Sequence, residues 1–181
     1  MLLSVLYVLV LLSWYTERAS VANALSCRHY WLVESEGDPQ HDPLLVWYQG
    51  GPGASSMFGY LVEQGPFTLT GESLARPMPD GTPRLFRNEF TWARAASLLF
   101  VDFPAPVGFS QCGANASCTD LGCCNWVNAS YHKSSDETGA DDNIQFLENF
   151  FEAFPEFYER DLYIAGESYA GTCELSSCLS A

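Results

Sequence analysis

The residues best placed for covalent chemistry lie at the end of a short apolar run, Leu162-Tyr-Ile-Ala, which opens into Gly166-Glu167-Ser168-Tyr169-Ala170-Gly171. Small residues two positions before and two after Ser168 let neighbouring backbone pass close to a serine held at a sharp strand-to-helix turn. A hydroxyl presented that way is a candidate nucleophile for acyl transfer. Serine between small residues also occurs in ordinary turns, so the pattern needs a partner: donors for the oxyanion that forms when a carbonyl is attacked. Gln49-Gly50-Gly51-Pro52-Gly53-Ala54-Ser55-Ser56 can supply them. Its consecutive glycines free backbone N–H groups to face a developing anion, although a turn ending the preceding strand would use the same residues.

The elements that must position these groups can be read from apolar patterning. Tyr30–Val33 and Leu44–Tyr48 are aromatic and β-branched runs separated by Gly37-Asp38-Pro39 and Asp42-Pro43, and both predict strands, the second opening directly into the glycine loop. Residues 57–97 are rich in Gly, Pro and Arg, with Glu63–Pro66 and Asn88–Trp92 their more structured parts. Ser97–Asp102 predicts a further buried strand, and Asp102 at its end would cap the turn over Phe103–Ser110 or line a site. Ile144, Phe146, Leu147, Phe150, Phe151 and Phe154 recur at helical spacing until Pro155, with Asp141-Asp142 offering an N-cap. Strand, glycine loop, strand, helix, strand, serine turn is the order of an α/β sheet built through crossovers, with its site at the strand ends.

At 181 residues the chain suits one domain or part of one, and its net charge of -14 argues against nucleic acid or an anionic membrane as partner. Leu2–Trp14 followed by Ala22-Asn23-Ala24 reads as a signal peptide cleaved after Ala24, leaving a domain over 25–181; an uncleaved anchor is the alternative. Secretory entry agrees with two glycosylation acceptors, Asn115 and Asn128. Both lie in a cysteine-rich insertion near 111–140. Cys27, Cys112, Cys118, Cys123 and Cys124 show no metal-ligand spacing, and His132 is the only nearby imidazole, so disulfides are expected, with pairing open, and no metal or cofactor.

Taken together, the sequence resembles the serine carboxypeptidases, α/β-hydrolases that remove C-terminal residues from peptides. The resemblance is carried by Tyr30–Ser35, Pro43–Ser56, Asn88–Trp92, Val101–Pro104, Val107–Ser110 and Asn143–Gly171. It implies that Ser168 is the nucleophile, that the backbone N–H groups of Gly51 and Tyr169 form the oxyanion hole, and that Gln49, Gly50, Glu63 and Glu167 grip the substrate's terminal carboxylate. Two neighbouring carboxyls cannot both ionise cheaply, so one would stay protonated and donate to that carboxylate, favouring binding at acidic pH.

The match departs from the family in three places. Gln49 stands where Asn is usual, Ala54 where Cys is usual, and residues 172–181 do not resemble it. An α/β-hydrolase supplies its triad acid and histidine after the serine, whereas His29, His41 and His132 all precede Ser168. The resemblance therefore implies the N-terminal part of a secreted or vacuolar/lysosomal carboxypeptidase acting on peptide or protein C-termini. Its sheet would be truncated after the serine turn, leaving an unpaired edge, marginal stability and weak activity. The alternatives are a non-catalytic peptide-binding decoy and an acyltransferase on the same scaffold.

Overall fold

In the computed structural model, residues 10–12, 15–17, 26–112 and 136–171 are described. The strands are β1 Val10–Leu12, β2 Tyr15–Glu17, β3 Ser26–Arg28, β4 Tyr30–Val33, β5 Leu44–Tyr48, β6 Phe67–Thr68, β7 Phe86–Arg87, β8 Ser97–Val101, β9 Gln111–Cys112 and β10 Leu162–Gly166, of which β4, β5, β8 and β10 are the expected apolar runs. Among the described residues α1 spans Gly71–Ala75 and α2 spans Asp136–Ala153.

Five strands form the main sheet in the order β1-β4-β8-β5-β10. β8 runs parallel to β5 and antiparallel to β4, and β10 runs parallel to β5. All five residues of β8 are buried, which is why its sequence is an unbroken apolar run rather than an alternation. The pleat divides that run between two cores. Leu99 and Val101 join Tyr30, Leu32, Leu44, Val46 and Tyr48 beneath Phe146, Leu147 and Phe150 of α2. Leu98 and Phe100 face the opposite side with Val33, Trp47, Met57, Tyr60 and Ala96. The fold is thus an α/β layered sheet, as the order of elements predicts.

The strand bounds expected for Tyr30–Val33 and Leu44–Tyr48 are met, and α2 ends at Ala153, with Phe154 between it and Pro155. The helix start differs: α2 begins at Asp136, so Asp141-Asp142 lies within it rather than capping it. Its leading turns are polar, and apolar periodicity cannot mark a helix before the first buried residue. Val10–Leu12, in the expected leader, pairs antiparallel with β4, so cleavage after Ala24 would leave β4 at the sheet edge. Among the described residues β10 forms the opposite edge, with Leu162 and Tyr163 exposed.

Candidate active site

β5 and β10 end side by side, Tyr48 opposite Gly166, and the Glu167 N–H donates to the Tyr48 carbonyl at 3.3 Å. Beyond that point the chains part. The segment after β5 packs Met57 and Tyr60 into one core, while Ala170, after β10, packs into the other beside α2. Adjacent parallel strands whose continuations leave to opposite faces open a crevice at their carboxyl ends.

Ser168 stands in this crevice with φ 57°, the one non-glycine residue at positive φ among those described. That left-handed conformation is strained for a residue with a Cβ. It is held between the strand and a following turn, in which the Ala170 N–H donates to the Glu167 carbonyl and the Gly171 N–H to the Ser168 carbonyl, both at 3.1 Å. Gly50 lies directly against it: an added Cβ there would sit 2.5 Å from the Glu167 carbonyl oxygen, 2.9 Å from the Ser168 Cβ and 3.2 Å from the Tyr169 nitrogen. Gly51 follows at φ 118°, a value open to glycine alone in practice. The loop is closed at its base by Ser56, whose Oγ accepts from the Gln49 N–H at 3.1 Å and donates to the Val101 carbonyl at 2.5 Å.

The Gln49 side chain has a fixed orientation. The Trp47 indole nitrogen can only donate, and it donates to Gln49 Oε1 at 3.0 Å, so the Gln49 amide nitrogen is turned to Glu167 Oε2 at 2.5 Å. Trp47 is braced edge-on by Trp92, ring centroids 5.6 Å apart. Glu63 ends a π-helical turn, Gly59–Glu63. The following bend is tied to Asn88, whose Nδ2 donates to the Glu63 and Gly65 carbonyls at 2.8 Å, and to Thr91, whose hydroxyl donates to the Gln64 carbonyl. Burial and the neighbouring Glu167 charge push the Glu63 carboxyl up, with the Gln49 amide a smaller opposing influence. Its Oε2 is buried and has no hydrogen-bond partner among the described residues. A carboxyl whose proton is held more tightly in this way, beside an amide N–H, is suited to receive another carboxylate when protonated.

In the sequence Asp102 reads as a cap or lining residue, and nothing there pairs it with His29. The structure buries Asp102 completely and makes it a hub. Its Oδ2 accepts from His29 Nδ1 at 2.9 Å and the Phe109 N–H at 3.0 Å; its Oδ1 accepts from the Ser55 hydroxyl at 2.6 Å and the Ser56 N–H at 3.0 Å. Burial opposes ionisation, but these hydrogen bonds outweigh it and hold the carboxyl below the usual range. Because the Trp31 indole donates to His29 Nε2 at 3.1 Å, the proton on His29 resides on Nδ1. The partners are 73 positions apart, so no local pattern in the sequence marks the pair.

The structure therefore brings Gln49, Gly50, Glu63, Glu167, Ser168 and Tyr169 to the ends of β5 and β10, with Gly51 next in the same loop. Asn115, Asn128, Cys118, Cys123, Cys124 and His132 lie outside the described residues. No group of three or more metal-ligating side chains occurs among the described residues.

The family model described as serine carboxypeptidase matches residues 18–173. The chain is 36% identical over 143 residues to the mouse protein named lysosomal protective protein, covering 79% of this chain and 25% of that one. It is 44% identical over 143 residues to serine carboxypeptidase-like 40 of Arabidopsis thaliana, covering 78% and 24%. Among solved structures it resembles Kex1(Δ)p, a prohormone-processing carboxypeptidase from Saccharomyces cerevisiae, with a TM-score of 0.62, 28% identity, and coverage of 92% of this chain and 31% of that one. The chain spans about a quarter of the length of the curated relatives it matches.

Proposed function

The chain belongs to the serine carboxypeptidase family, and from that premise we propose that its site grips the C-terminal carboxylate of a peptide and offers the adjoining carbonyl to Ser168. The observation that carries this reading is the Gln49 amide, locked by Trp47 and turned to Glu167, with the raised carboxyl of Glu63 in the same electrostatic cluster. Protonated Glu63 and the Gln49 amide donate to the ligand carboxylate. Ser168 Oγ then adds to the carbonyl carbon, and the carbonyl electron pair moves onto oxygen, facing the N–H groups of Gly51 and Tyr169. Collapse expels the terminal amino acid as its amine, which takes up the proton lost by the hydroxyl. Water cleaves the resulting ester.

The base for that proton is neither His29 nor His41. Both ring nitrogens of His29 are occupied by Asp102 and Trp31. His41 bonds Asp38 in the loop before β5, at the end of the strand opposite the site, roughly 15 Å away by strand rise. No histidine follows Ser168 in the sequence. A second reading, for these residues alone, is carboxylate capture without turnover, which the Gln49, Glu63 and Glu167 cluster supports without need of a base.

We further propose secretory entry through a leader over 1–24, with a vacuolar, lysosomal or extracellular destination, supported by the Asn115 and Asn128 acceptors and the acidic composition. The experiment is to incubate the purified chain with a peptide and its C-terminal amide. Release of a terminal residue from the free acid alone supports exopeptidase action. Selective binding of the free acid without release supports capture, and equal behaviour toward both overturns the carboxylate site.

A further inference from the structure

Behind the loop that carries Gln49, Gly50 and Gly51 lies a buried cluster that none of the chemistry above uses. We propose that Asp102, set by His29, is a positioning residue for the site, fixing the backbone of Gln49–Ser56 against the sheet. The proposal deepens the reading of that loop as the ligand loop and rests on it.

The two oxygens of Asp102 divide their work. Oδ2 faces the scaffold, accepting from His29 at the entrance to β4 and from Phe109 in the turn after β8. Oδ1 faces the loop, accepting from Ser55 and Ser56. Ser56 carries the connection onward, because its Oγ receives the Gln49 N–H. The scaffold side is itself tightly closed. The Asp102 N–H donates to the His29 carbonyl at 3.0 Å, the His29 N–H to Ser110 Oγ at 2.8 Å, and Ser110 Oγ to the Asp102 carbonyl at 2.7 Å. Gly108 presses on the carboxylate, since a Cβ there would fall 2.2 Å from Oδ2. The scaffold is thus over-determined, whereas the loop reaches the carboxylate through Oδ1.

An amide in place of the carboxylate has one acceptor oxygen. It can serve the scaffold or the loop, and its NH2 meets donors on the other side; His29 cannot relieve the conflict by shifting its proton, because Trp31 occupies Nε2. With the scaffold side the better tied, the loop is released.

The test is amide hydrogen exchange on the full chain without ligand, comparing parent, Asp102→Asn and Ser55→Ala. Exchange at Ala54, Ser56 and Phe58 is expected to quicken by about tenfold or more in Asp102→Asn while Leu98–Phe100 of β8 stay within about twofold of the parent. If Asp102→Asn does not yield folded protein, Ser55→Ala, which removes one loop-side donor together with the acceptor of the Met57 N–H and leaves the scaffold bonds intact, is expected to quicken Ala54 and Ser56, which do not bond the Ser55 hydroxyl, by about threefold. Acceleration of loop and β8 together, or of neither, overturns the proposal. Binding of free-acid peptide to the parent is measured separately; its absence overturns the functional reading of the loop, not the exchange result.

Discussion

A Cβ built on Gly50 would lie 2.9 Å from the Cβ of Ser168, closer than two side-chain carbons approach in real proteins. The glycine loop and the serine turn are therefore packed backbone to backbone, and each fixes the other. This is what gives the crevice between β5 and β10 a defined shape.

Gly50→Ala should force these two segments apart. Overpacking of this kind costs about 1–3 kcal/mol. The expected outcome in urea unfolding is a lower midpoint with an unchanged slope, together with weaker binding of free-acid peptide. A variant as stable as the parent would show that the two segments do not rest on each other.

Glu63 should make ligand binding favour acid. Burial and Glu167 raise its carboxyl above the usual range, so it keeps its proton to higher pH in the folded chain than in the unfolded one. Its contribution to stability is present below the unfolded value and lost as pH rises through the folded one. Affinity for a free-acid peptide should fall over the same rise by about tenfold or more, the loss of one charge-assisted hydrogen bond. Isothermal titration across pH reads this directly. Glu63→Gln, neutral at every pH, should flatten the profile; a profile that keeps its slope in that variant assigns the effect to another group.

Asp102 should act in the opposite direction. Its carboxyl is held below the ordinary range by His29, Phe109 and Ser55 against the pull of burial. The stability it contributes is complete above the unfolded value of about 3.9 and is lost as pH falls through the folded one. Melting temperatures of the parent should therefore decline steeply on the acid side, and Asp102→Asn should show a shallower decline from a lower plateau. Parallel declines in the two chains would remove Asp102 as the cause.

What the sequence made legible and what it hid follow from the range over which each interaction acts. Tyr30–Val33 and Leu44–Tyr48 were readable because a buried strand writes its apolar run into consecutive residues. The serine turn was readable for a similar reason: Gly166 and Ala170 stand two positions either side of Ser168. The start of α2 was not, since Asp136-Glu137-Thr138-Gly139 holds no large apolar residue from which a periodic pattern could begin. Nor was the hub at Asp102, whose partners His29, Ser55, Ser56 and Phe109 are scattered along the chain and meet only when β4, β5 and β8 align. Gln49 falls between these cases. Its type was visible, but the orientation of its amide depends on Trp47, two residues away on the chain, and on Glu167, 118 positions away.

The strain at Ser168 makes the last prediction. A residue with a Cβ pays about 1–2 kcal/mol in the left-handed region, whereas glycine pays nothing there but loses about 0.5–1 kcal/mol through the greater freedom of its unfolded chain. Ser168→Gly should therefore be more stable than the parent by about 0.5–1 kcal/mol, while Ser168→Ala, which keeps the Cβ at φ 57°, should not. Neither variant retains an oxygen to attack a carbonyl, yet both keep Gln49, Glu63 and Glu167, so binding of free-acid peptide should persist in each. Chemical denaturation of the three chains and titration with the peptide decide the matter. A glycine variant no more stable than the alanine one would mean that the turn holds Ser168 without strain, and a loss of binding in both would mean that the hydroxyl itself belongs to the carboxylate grip.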